Sequence, residues 1–473
     1  MSSVRQQQSD KVSVSSLLAI ALPMIASQAS ETIMLFTDRL FLSHLGKLHM
    51  AAAMSGGLTA FVICSLFSGT IGYVNALTAW HYGAKEFNQC SRVTAQGIFF
   101  ALLFYPLLIL LIGPLRNIFV LAGHETRQIG LEYGYFSVLM TGSIFMLLRS
   151  ALSGFFLGIG KTRIIMFANI TGMIVNIAAN YALIFGKWGF PAMGMQGAAW
   201  GTICGSFSIF IILAVRYAGK KYHREYLTRS NLKPDFRLCR RHLQYGFPAG
   251  MELFLNVTAF NIFLQLMHSY SSDVAAAVTI AFNWDMVAFI PMLGVGFAAT
   301  SLVGRKMGAC KPEAAESAGW LAWRAGMLYA ACMMFIFIFF SRFLAEFFSG
   351  NFSAEENRKV LPLASFMIRL ASVYTLADIT QIILAGALRG AGDTRWVMKA
   401  SMLMHWLMAI LAFLFIRVWK LSPVSVWIMF IIIILGMGIL MLWRFRSGIW
   451  KKIKVIEQPA GFVDEHQVLT GNL

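Results

Sequence analysis

A ten-residue stretch occurs twice in this chain, first as Gly154-Phe-Phe-Leu-Gly158-Ile-Gly160-Lys-Thr162-Arg163 and again as Gly386-Ala-Leu-Arg-Gly390-Ala-Gly392-Asp-Thr394-Arg395. Both copies share the pattern G-x3-G-x-G-x-T-R, and each shared position is offset by 232 in a chain of 473 residues. Two further pairs repeat with an offset of 225, namely Pro23 with Pro248 and Gly83-Ala84 with Gly308-Ala309. The chain therefore contains an internal duplication, which is typical of secondary transporters in membranes.

The composition is that of a protein made of membrane-spanning helices. Hydrophobic residues make up 58% of the chain and charged residues 13%, against about 25% charged residues in soluble domains. A helix crosses the hydrocarbon core with about 20 apolar residues. Twelve such spans are predicted, at 14–40, 49–80, 93–115, 130–157, 164–186, 194–216, 243–268, 274–303, 318–341, 361–388, 398–416 and 421–443. We therefore expect an all-α polytopic membrane protein.

The duplication predicts two six-helix bundles in the same orientation. Because six is an even number, the second unit enters the membrane from the same side as the first, which makes a parallel and not an inverted repeat. The predicted division is an N-terminal tail 1–13, a first lobe 14–216, a basic linker 217–242, a second lobe 243–443 and a C-terminal tail 444–473. Glycines of the doubled motif fit tight turns at helix ends, which favours a structural role over direct substrate contact.

The positive charges predict the orientation in the membrane. The net charge is +18, and most Lys and Arg outside the spans lie in the tails and in every second loop, above all in the linker. The positive-inside rule then places both termini and the linker in the cytoplasm, beneath an inner or plasma membrane. We expect the linker to contact anionic lipid and no nucleic acid. The six scattered cysteines form no metal-binding or disulfide pattern.

Motifs along most of residues 14–443 resemble those of the multidrug and toxic compound extrusion (MATE) family, in the MOP flippase superfamily. In chain order they are Leu22-Pro23, Thr37-Asp38 with Leu45-Gly46, Asn176-Ile-Ala-Ala-Asn180-Tyr-Ala-Leu-Ile-Phe-Gly186, Gly197-Ala198-Ala199-Trp-Gly-Thr202, Gly246-Phe-Pro248, Ser301-Leu-Val-Gly304, Gly308-Ala309 and Leu388-Arg389-Gly390. The resemblance implies a V-shaped cavity between two six-helix bundles. It also implies export of organic, often cationic compounds, driven by protons or sodium ions.

Charges inside a membrane are costly, so each intramembrane acid is a candidate functional residue. Asp38, Asn176, Asn180 and Thr202 offer a carboxylate, two amides and a hydroxyl. Such an all-oxygen set suits a hard cation, or a carboxylic acid that binds and releases a proton. The resemblance places these four positions in the cation-coupling site of the first lobe. Alternatively, Asn176 and Asn180 join helices by hydrogen bonds.

The second lobe offers a different candidate set for the cation or the substrate. Tyr374 and Asp378 share a face of the tenth helix, and the resemblance places them at positions used for cation coupling in one branch of the family. That branch carries a glutamate in the seventh helix where this chain has Asn256, while Glu252 stands one turn earlier. Either Glu252 replaces that glutamate at another depth, or it lies near the cytoplasmic mouth.

Glu31 and Asp285 are two further acids, in the first and eighth predicted helices. An acidic lining of the cavity would attract cationic compounds and exchange them for protons. For Asp285 the alternative is an internal salt bridge with Arg149, Arg324 or Arg369.

The sequence therefore predicts a secondary active transporter that exports organic, cationic and amphipathic compounds by H⁺ or Na⁺ antiport, with rocking of the two lobes. A lipid-linked precursor flippase of the same superfamily is the alternative. No enzyme is expected, since the sequence has neither a paired His, Cys or Ser-His-Asp arrangement nor a P-loop. We expect no cofactor beyond the coupling ion, no metal beyond Na⁺ at Asp38, Asn176 and Asn180, small-molecule substrates and membrane lipid as partners, and a monomer.

Overall fold

The computed structural model describes residues 13–121, 125–348 and 354–456, and the regular structure in these ranges is entirely helical. Twelve of the described helices are long and apolar enough to cross a membrane. They are α1 (Val14–Ser43), α2 (Leu48–Gly83), α3 (Phe87–Val120), α4 (Thr126–Gly158), α5 (Thr162–Phe185), α6 (Met195–Tyr217), α7 (Phe236–His268), α8 (Ser272–Gly308), α9 (Pro312–Phe339), α10 (Arg358–Gly390), α11 (Thr394–Val418) and α12 (Pro423–Arg446). The predicted all-α class with twelve helices is confirmed. Most of each predicted tail, 1–12 and 457–473, lies outside the described residues.

Several helices are longer than hydropathy predicts. For example, α3 begins at Phe87 and not at 93, α7 begins at Phe236 and not at 243, and α8 continues to Gly308 and not to 303. Hydropathy detects only the apolar part of a helix. The helix itself continues until its backbone is capped or broken, so the observed helices include charged turns beyond the apolar part. The linker is accordingly shorter than predicted. It spans residues 218–235 and contains one short helix, Lys220–Tyr226.

Side-chain caps define where several helices begin. The capping residues are Ser13 for α1, Asp235 for α7, Ser271 for α8 and Ser422 for α12. Each side-chain oxygen accepts a hydrogen bond from a backbone N–H of the first turn, which has no partner within the helix. Asp235 accepts two such bonds, from the amides of Arg237 and Leu238.

The doubled motif forms two equivalent turns, as predicted. The first turn joins the end of α4 at Gly158 to the start of α5 at Thr162, and the second joins the end of α10 to the start of α11. Gly160 has a φ of 65° and Gly392 a φ of 92°. Glycine adopts this left-handed conformation without the steric penalty of a side chain. The sequence repeat is therefore also a repeat of backbone conformation.

The first half (residues 14–216) and the second half (243–443) pack together near one end of the helices. We call this end the linker face; it carries the turns 84–86, 159–161, 309–311 and 391–393 together with the linker. Here α2 packs against α7 and α8, and α1 packs against α8. The approach is close, because a Cβ added to Gly69 of α2 would lie 2.8 Å from the Cα of Gly250 of α7.

The linker is fixed to the first half. Tyr226 of its short helix packs against Phe155 of α4, with 5.3 Å between ring centroids. Asn231 donates a hydrogen bond of 2.7 Å to the Ser91 hydroxyl of α3, and Asp235 pairs with Arg92 of α3 at 2.8 Å. Charged side chains of the short helix remain exposed, namely Lys220, Lys221, Arg224 and Glu225. The linker thus covers the linker-face ends of α3 and α4.

Candidate functional site

Three helices of the first half, α1, α5 and α6, bring the four predicted residues together. The amide nitrogen of Asn180 donates to Asp38 Oδ1 and, at 3.3 Å, to Asn176 Oδ1. The Thr202 hydroxyl donates to Asp38 Oδ2 at 3.2 Å. Asp38, Asn176 and Asn180 are all buried. Asn180 therefore joins α5 to α1, whereas Asn176 bonds to Asn180 within α5.

Glycines on α6 allow α5 to pack closely against α6 at this site. A Cβ added to Gly201 would lie 1.9 Å from Asn180 Oδ1, and one added to Gly205 would lie 2.9 Å from the Cβ of Asn176. The asparagine side chains therefore occupy the space that larger residues on α6 would fill. The role of Gly201 cannot be predicted from the sequence, although Gly201 directly precedes Thr202 in one of the motifs. Its spacing to the asparagines is visible only in three dimensions.

The hydrogen-bond partners of the Asp38 carboxylate are neutral groups. Within the described ranges no Lys or Arg side chain pairs with it, and its hydrogen bonds come from an amide and a hydroxyl. The site also holds two buried polar atoms without a hydrogen-bond partner, Asn176 Nδ2 and Asn180 Oδ1. A buried carboxylate without a positive partner is stabilised by taking up a proton or a cation. The donor set of this site fits either ion.

Glu31 lies on the same helix as Asp38 but in a different environment. Its Oε1 lies 3.4 Å from Arg149 Nη1 of α4 and accepts a hydrogen bond of 3.2 Å from Asn169 of α5. Arg149 is therefore the partner of Glu31 and not of Asp285. The positive charge beside Glu31 balances its carboxylate, which distinguishes it from Asp38.

The structure separates the predicted set of the second half into two groups. Glu252 is buried and accepts two hydrogen bonds from Arg389, of 3.0 Å from Nε and 2.7 Å from Nη2. Arg389 and Asp378 are eleven residues apart on α10, or about 16 Å along the helix axis. Glu252 is therefore bound to Arg389 towards the linker face, at a part of α10 away from Tyr374 and Asp378. Asn256 Oδ1 is buried and has no hydrogen-bond partner.

The second group consists of Asp285 of α8 with Tyr374 and Asp378 of α10. The Tyr374 hydroxyl donates a hydrogen bond of 3.0 Å to Asp285 Oδ1, and Asp378 lies one turn after Tyr374 on the same face of α10. A salt bridge between Asp285 and an arginine is not found among the described residues; Arg369 instead donates to the Ser341 hydroxyl at 2.9 Å. The sequence identifies Asp285 as an intramembrane acid, but only the packing of α8 on α10 shows its partners.

Comparisons with known proteins agree with this architecture. The MatE family model matches residues 23–182 and 248–414, one match in each half. Multidrug resistance protein MdtK of Proteus mirabilis is 27% identical over 434 residues, which cover 90% of this chain and 93% of that protein. Probable multidrug resistance protein NorM of Bradyrhizobium diazoefficiens is 28% identical over 433 residues, with coverages of 91% and 92%.

The fold is also similar to that of solved structures. A structure of a multidrug resistance MATE family transporter of the MOP superfamily, in an outward-facing conformation, aligns with a TM-score of 0.83. The sequence identity is 19%, and the alignment covers 93% of this chain and 96% of that chain. At this identity the similarity concerns the fold alone.

Proposed function

This chain belongs to the MATE family of the MOP superfamily, and we propose that it exports small organic compounds from the cell in exchange for H⁺ or Na⁺. The protein is a multi-pass membrane transporter and not an enzyme. Its relatives in Proteus mirabilis and Bradyrhizobium diazoefficiens are named multidrug resistance proteins. Those names support drug-like organic substrates and do not favour a flippase for lipid-linked precursors.

The single observation that carries the coupling proposal is the buried Asp38 carboxylate with only neutral hydrogen-bond partners. An ion pair with Lys or Arg would balance the charge of the carboxylate, as the ion pair with Arg389 does for Glu252. Without such a partner, Asp38 gains a proton or a cation at one stage and loses it at another. Asn176 and Asn180 would supply amide oxygens to a bound Na⁺.

Ion binding at Asp38 would change the contacts between helices. The Asp38 carboxylate accepts bonds from α5 and α6, so its neutralisation weakens two contacts that hold α1 in place. Neutralisation also weakens the attraction of the cavity for a cationic compound. An ion shifts a conformational equilibrium only through different affinities for the two states. We propose that H⁺ or Na⁺ binds more tightly to the state that has released the substrate, so that ion entry and export are coupled by rocking of the two halves.

The group of Asp285, Tyr374 and Asp378 is proposed as a second site, for the coupling ion or for the cationic group of the substrate. Two neighbouring carboxylates repel each other when both are ionised, which favours uptake of one positive charge between them. The Tyr374 hydroxyl holds Asp285 in position. Glu252 is left out of this site, because Arg389 already neutralises it.

We propose that the linker face is cytoplasmic, in an inner or plasma membrane. The exposed Lys220, Lys221 and Arg224 lie beside the ends of α3 and α4, where the positive-inside rule places basic residues. On a cytoplasmic face these basic side chains would contact anionic lipid headgroups. Both termini would then be cytoplasmic, and the protein would act as a monomer without nucleic acid.

The coupling proposal is tested by drug accumulation in cells that express the wild type or Asp38→Asn. The variant keeps the size of the side chain but cannot bind and release a proton. We expect the wild type to lower the accumulation of ethidium or norfloxacin, and Asp38→Asn to return it to the level of an empty vector at equal membrane expression. Asp273→Asn is the matched control and should export like the wild type. Asp273 lies in the first turn of α8, at the end of that helix away from the linker face. Normal export by Asp38→Asn would exclude Asp38 as the coupling residue.

A further inference from the structure

The doubled motif does more than turn the chain, because each copy accepts a hydrogen bond from the other half. At the linker face, Trp80 Nε1 of α2 donates to the carbonyl oxygen of Gly390 at 2.7 Å. In the opposite direction, Arg305 Nε of α8 donates to the carbonyl oxygen of Gly158 at 2.9 Å. Gly158 and Gly390 are equivalent residues of the two motif copies. Trp80 and Arg305 are equivalent as well, with the offset of 225 that relates Pro23 to Pro248.

A second pair of hydrogen bonds also joins the two halves, and its acceptor carbonyls lie one residue before Gly158 and Gly390. The Ser301 hydroxyl of α8 donates to the Leu157 carbonyl at 2.8 Å, and the Tyr73 hydroxyl of α2 donates to the Arg389 carbonyl at 3.0 Å. The last carbonyls of a helix have no partner within the helix. At the ends of α4 and α10, the opposite half provides that partner for the Gly158 and Gly390 carbonyls, while the Leu157 and Arg389 carbonyls also accept bonds from Gly160 and Gly392 of their own turns.

Two glycines bring the halves close enough for these bonds. A Cβ added to Gly83 would lie 1.9 Å from the Arg305 carbonyl oxygen, and one added to Gly308 would lie 1.9 Å from the Trp80 carbonyl oxygen. Gly83 and Gly308 are again related by the offset of 225. The contact is therefore self-complementary, as at the interface of a two-fold symmetric dimer, where each residue of a contact occurs once on either side.

The two donors are chemically different although their positions are equivalent. Arg305 crosses into the first half, where its guanidinium lies over the Tyr82 ring at 4.9 Å from the centroid. A Cβ on Gly160, in the turn of the doubled motif, would lie 2.2 Å from Arg305 Nη2. The first-half motif therefore leaves space for an arginine. This explains why the glycines are repeated in the sequence while the donor residues are not.

We infer that Trp80 and Arg305 are positioning residues that form a reciprocal latch, which holds the linker face closed. The latch is defined by the bonds Trp80–Gly390 and Arg305–Gly158. Opening of the linker face requires both bonds to break, because each joins the same two halves. Loss of either bond then favours the state in which this face is open. The inference rests on the proposed rocking of the two halves.

Hydrogen–deuterium exchange of the purified protein in lipid nanodiscs tests the latch. Trp80→Phe keeps an aromatic but smaller side chain and removes the N–H donor, and Arg305→Met keeps most of the length and removes the guanidinium. We expect each variant to exchange about three- to tenfold faster at both motif turns, 159–161 and 391–393, as for the loss of one buried hydrogen bond. Trp443→Phe, an exposed tryptophan near the same face, is the control and should exchange like the wild type.

Gly83→Ala and Gly308→Ala form a second test that removes no donor. The added methyl group separates the halves, so both turns should again exchange faster than in the wild type. Gly113→Ala is the matched control, because nothing lies within 4 Å of a Cβ at that position. Faster exchange only at the turn touched by the substituted residue, or no difference from the controls, would overturn the latch. The exchange measurement needs neither substrate nor ion gradient. It therefore tests the latch even if the protein fails to export drugs from cells.

Discussion

At the scale of single residues, the partner of each intramembrane acid decides what that acid can do. Asp38 accepts hydrogen bonds from an amide and a hydroxyl, whereas Glu252 accepts them from Nε and Nη2 of Arg389. Glu31 lies between these extremes, with Arg149 at 3.4 Å. A fixed positive partner keeps a carboxylate ionised, while neutral donors let it exchange its charge. The two kinds of environment separate candidates for ion coupling from structural ion pairs.

Gly201→Ala is predicted to damage the coupling site without removing any of its polar groups. The new methyl group would take the position of Asn180 Oδ1 and displace the amide from Asp38. Hydrogen bonds to charged groups contribute about 1.5–3 kcal/mol, so we expect the rate of drug efflux to fall about tenfold or more. Efflux per amount of membrane protein is the measurement. Gly113→Ala is the control, and an equal rate in the two variants would contradict the role of Gly201.

Arg389→Met is predicted to destabilise the fold, because it leaves the Glu252 carboxylate buried without a partner. Breaking a buried ion pair in this way typically costs about 3–5 kcal/mol. Thermal unfolding in detergent should show a lower midpoint for Arg389→Met than for the wild type. The double variant Glu252→Gln with Arg389→Met should recover most of the loss, since no charge is then left unpaired. A double variant as unstable as the single one would show that Arg389 acts through packing alone.

At the scale of elements, hydropathy is sufficient to predict the twelve helices, and the doubled motif predicts two of the turns. The helix ends are less predictable from hydropathy, because caps such as Asp235 lie outside the apolar stretch. The residues of the first-half site are grouped from the sequence because they match motifs of the family, and Asn176 and Asn180 are also one turn apart on one helix. The partners Glu252 and Arg389 lie on two helices separated by more than a hundred residues. No local pattern joins them, so the sequence leaves the position of Glu252 open.

Asp235 links two elements, and Asp235→Ala is predicted to loosen both. It would remove the cap of α7 and the ion pair with Arg92 of α3. Loss of a helix cap costs about 0.5–2 kcal/mol, so the thermal midpoint in detergent should fall. Arg92→Met removes the ion pair alone and should have the smaller effect, because partly exposed pairs contribute about 0–1 kcal/mol. A larger loss for Arg92→Met would assign the stability to the ion pair and not to the cap.

At the scale of the whole molecule, symmetry and asymmetry have separate roles. The reciprocal bonds of Trp80 and Arg305 follow the internal repeat, and they lie where the halves meet. The acids do not follow it. The first half has Asp38 among neutral groups of α5 and α6, and the second half has Asp285 and Asp378 with Tyr374 between α8 and α10. The contact between the halves therefore follows the internal repeat, whereas the candidate ion sites do not.

We propose that a cation exchanged at Asp38 drives export. This proposal is tested most directly by transport in proteoliposomes, with a proton gradient alone, a sodium gradient alone, or neither. For the wild type we expect one of the two gradients to drive uphill movement of the drug, and an ionophore that removes this gradient to stop the movement. For Asp38→Asn we expect no uphill movement under any gradient, with Asp273→Asn behaving as the wild type. Equal uphill movement by Asp38→Asn would contradict the account.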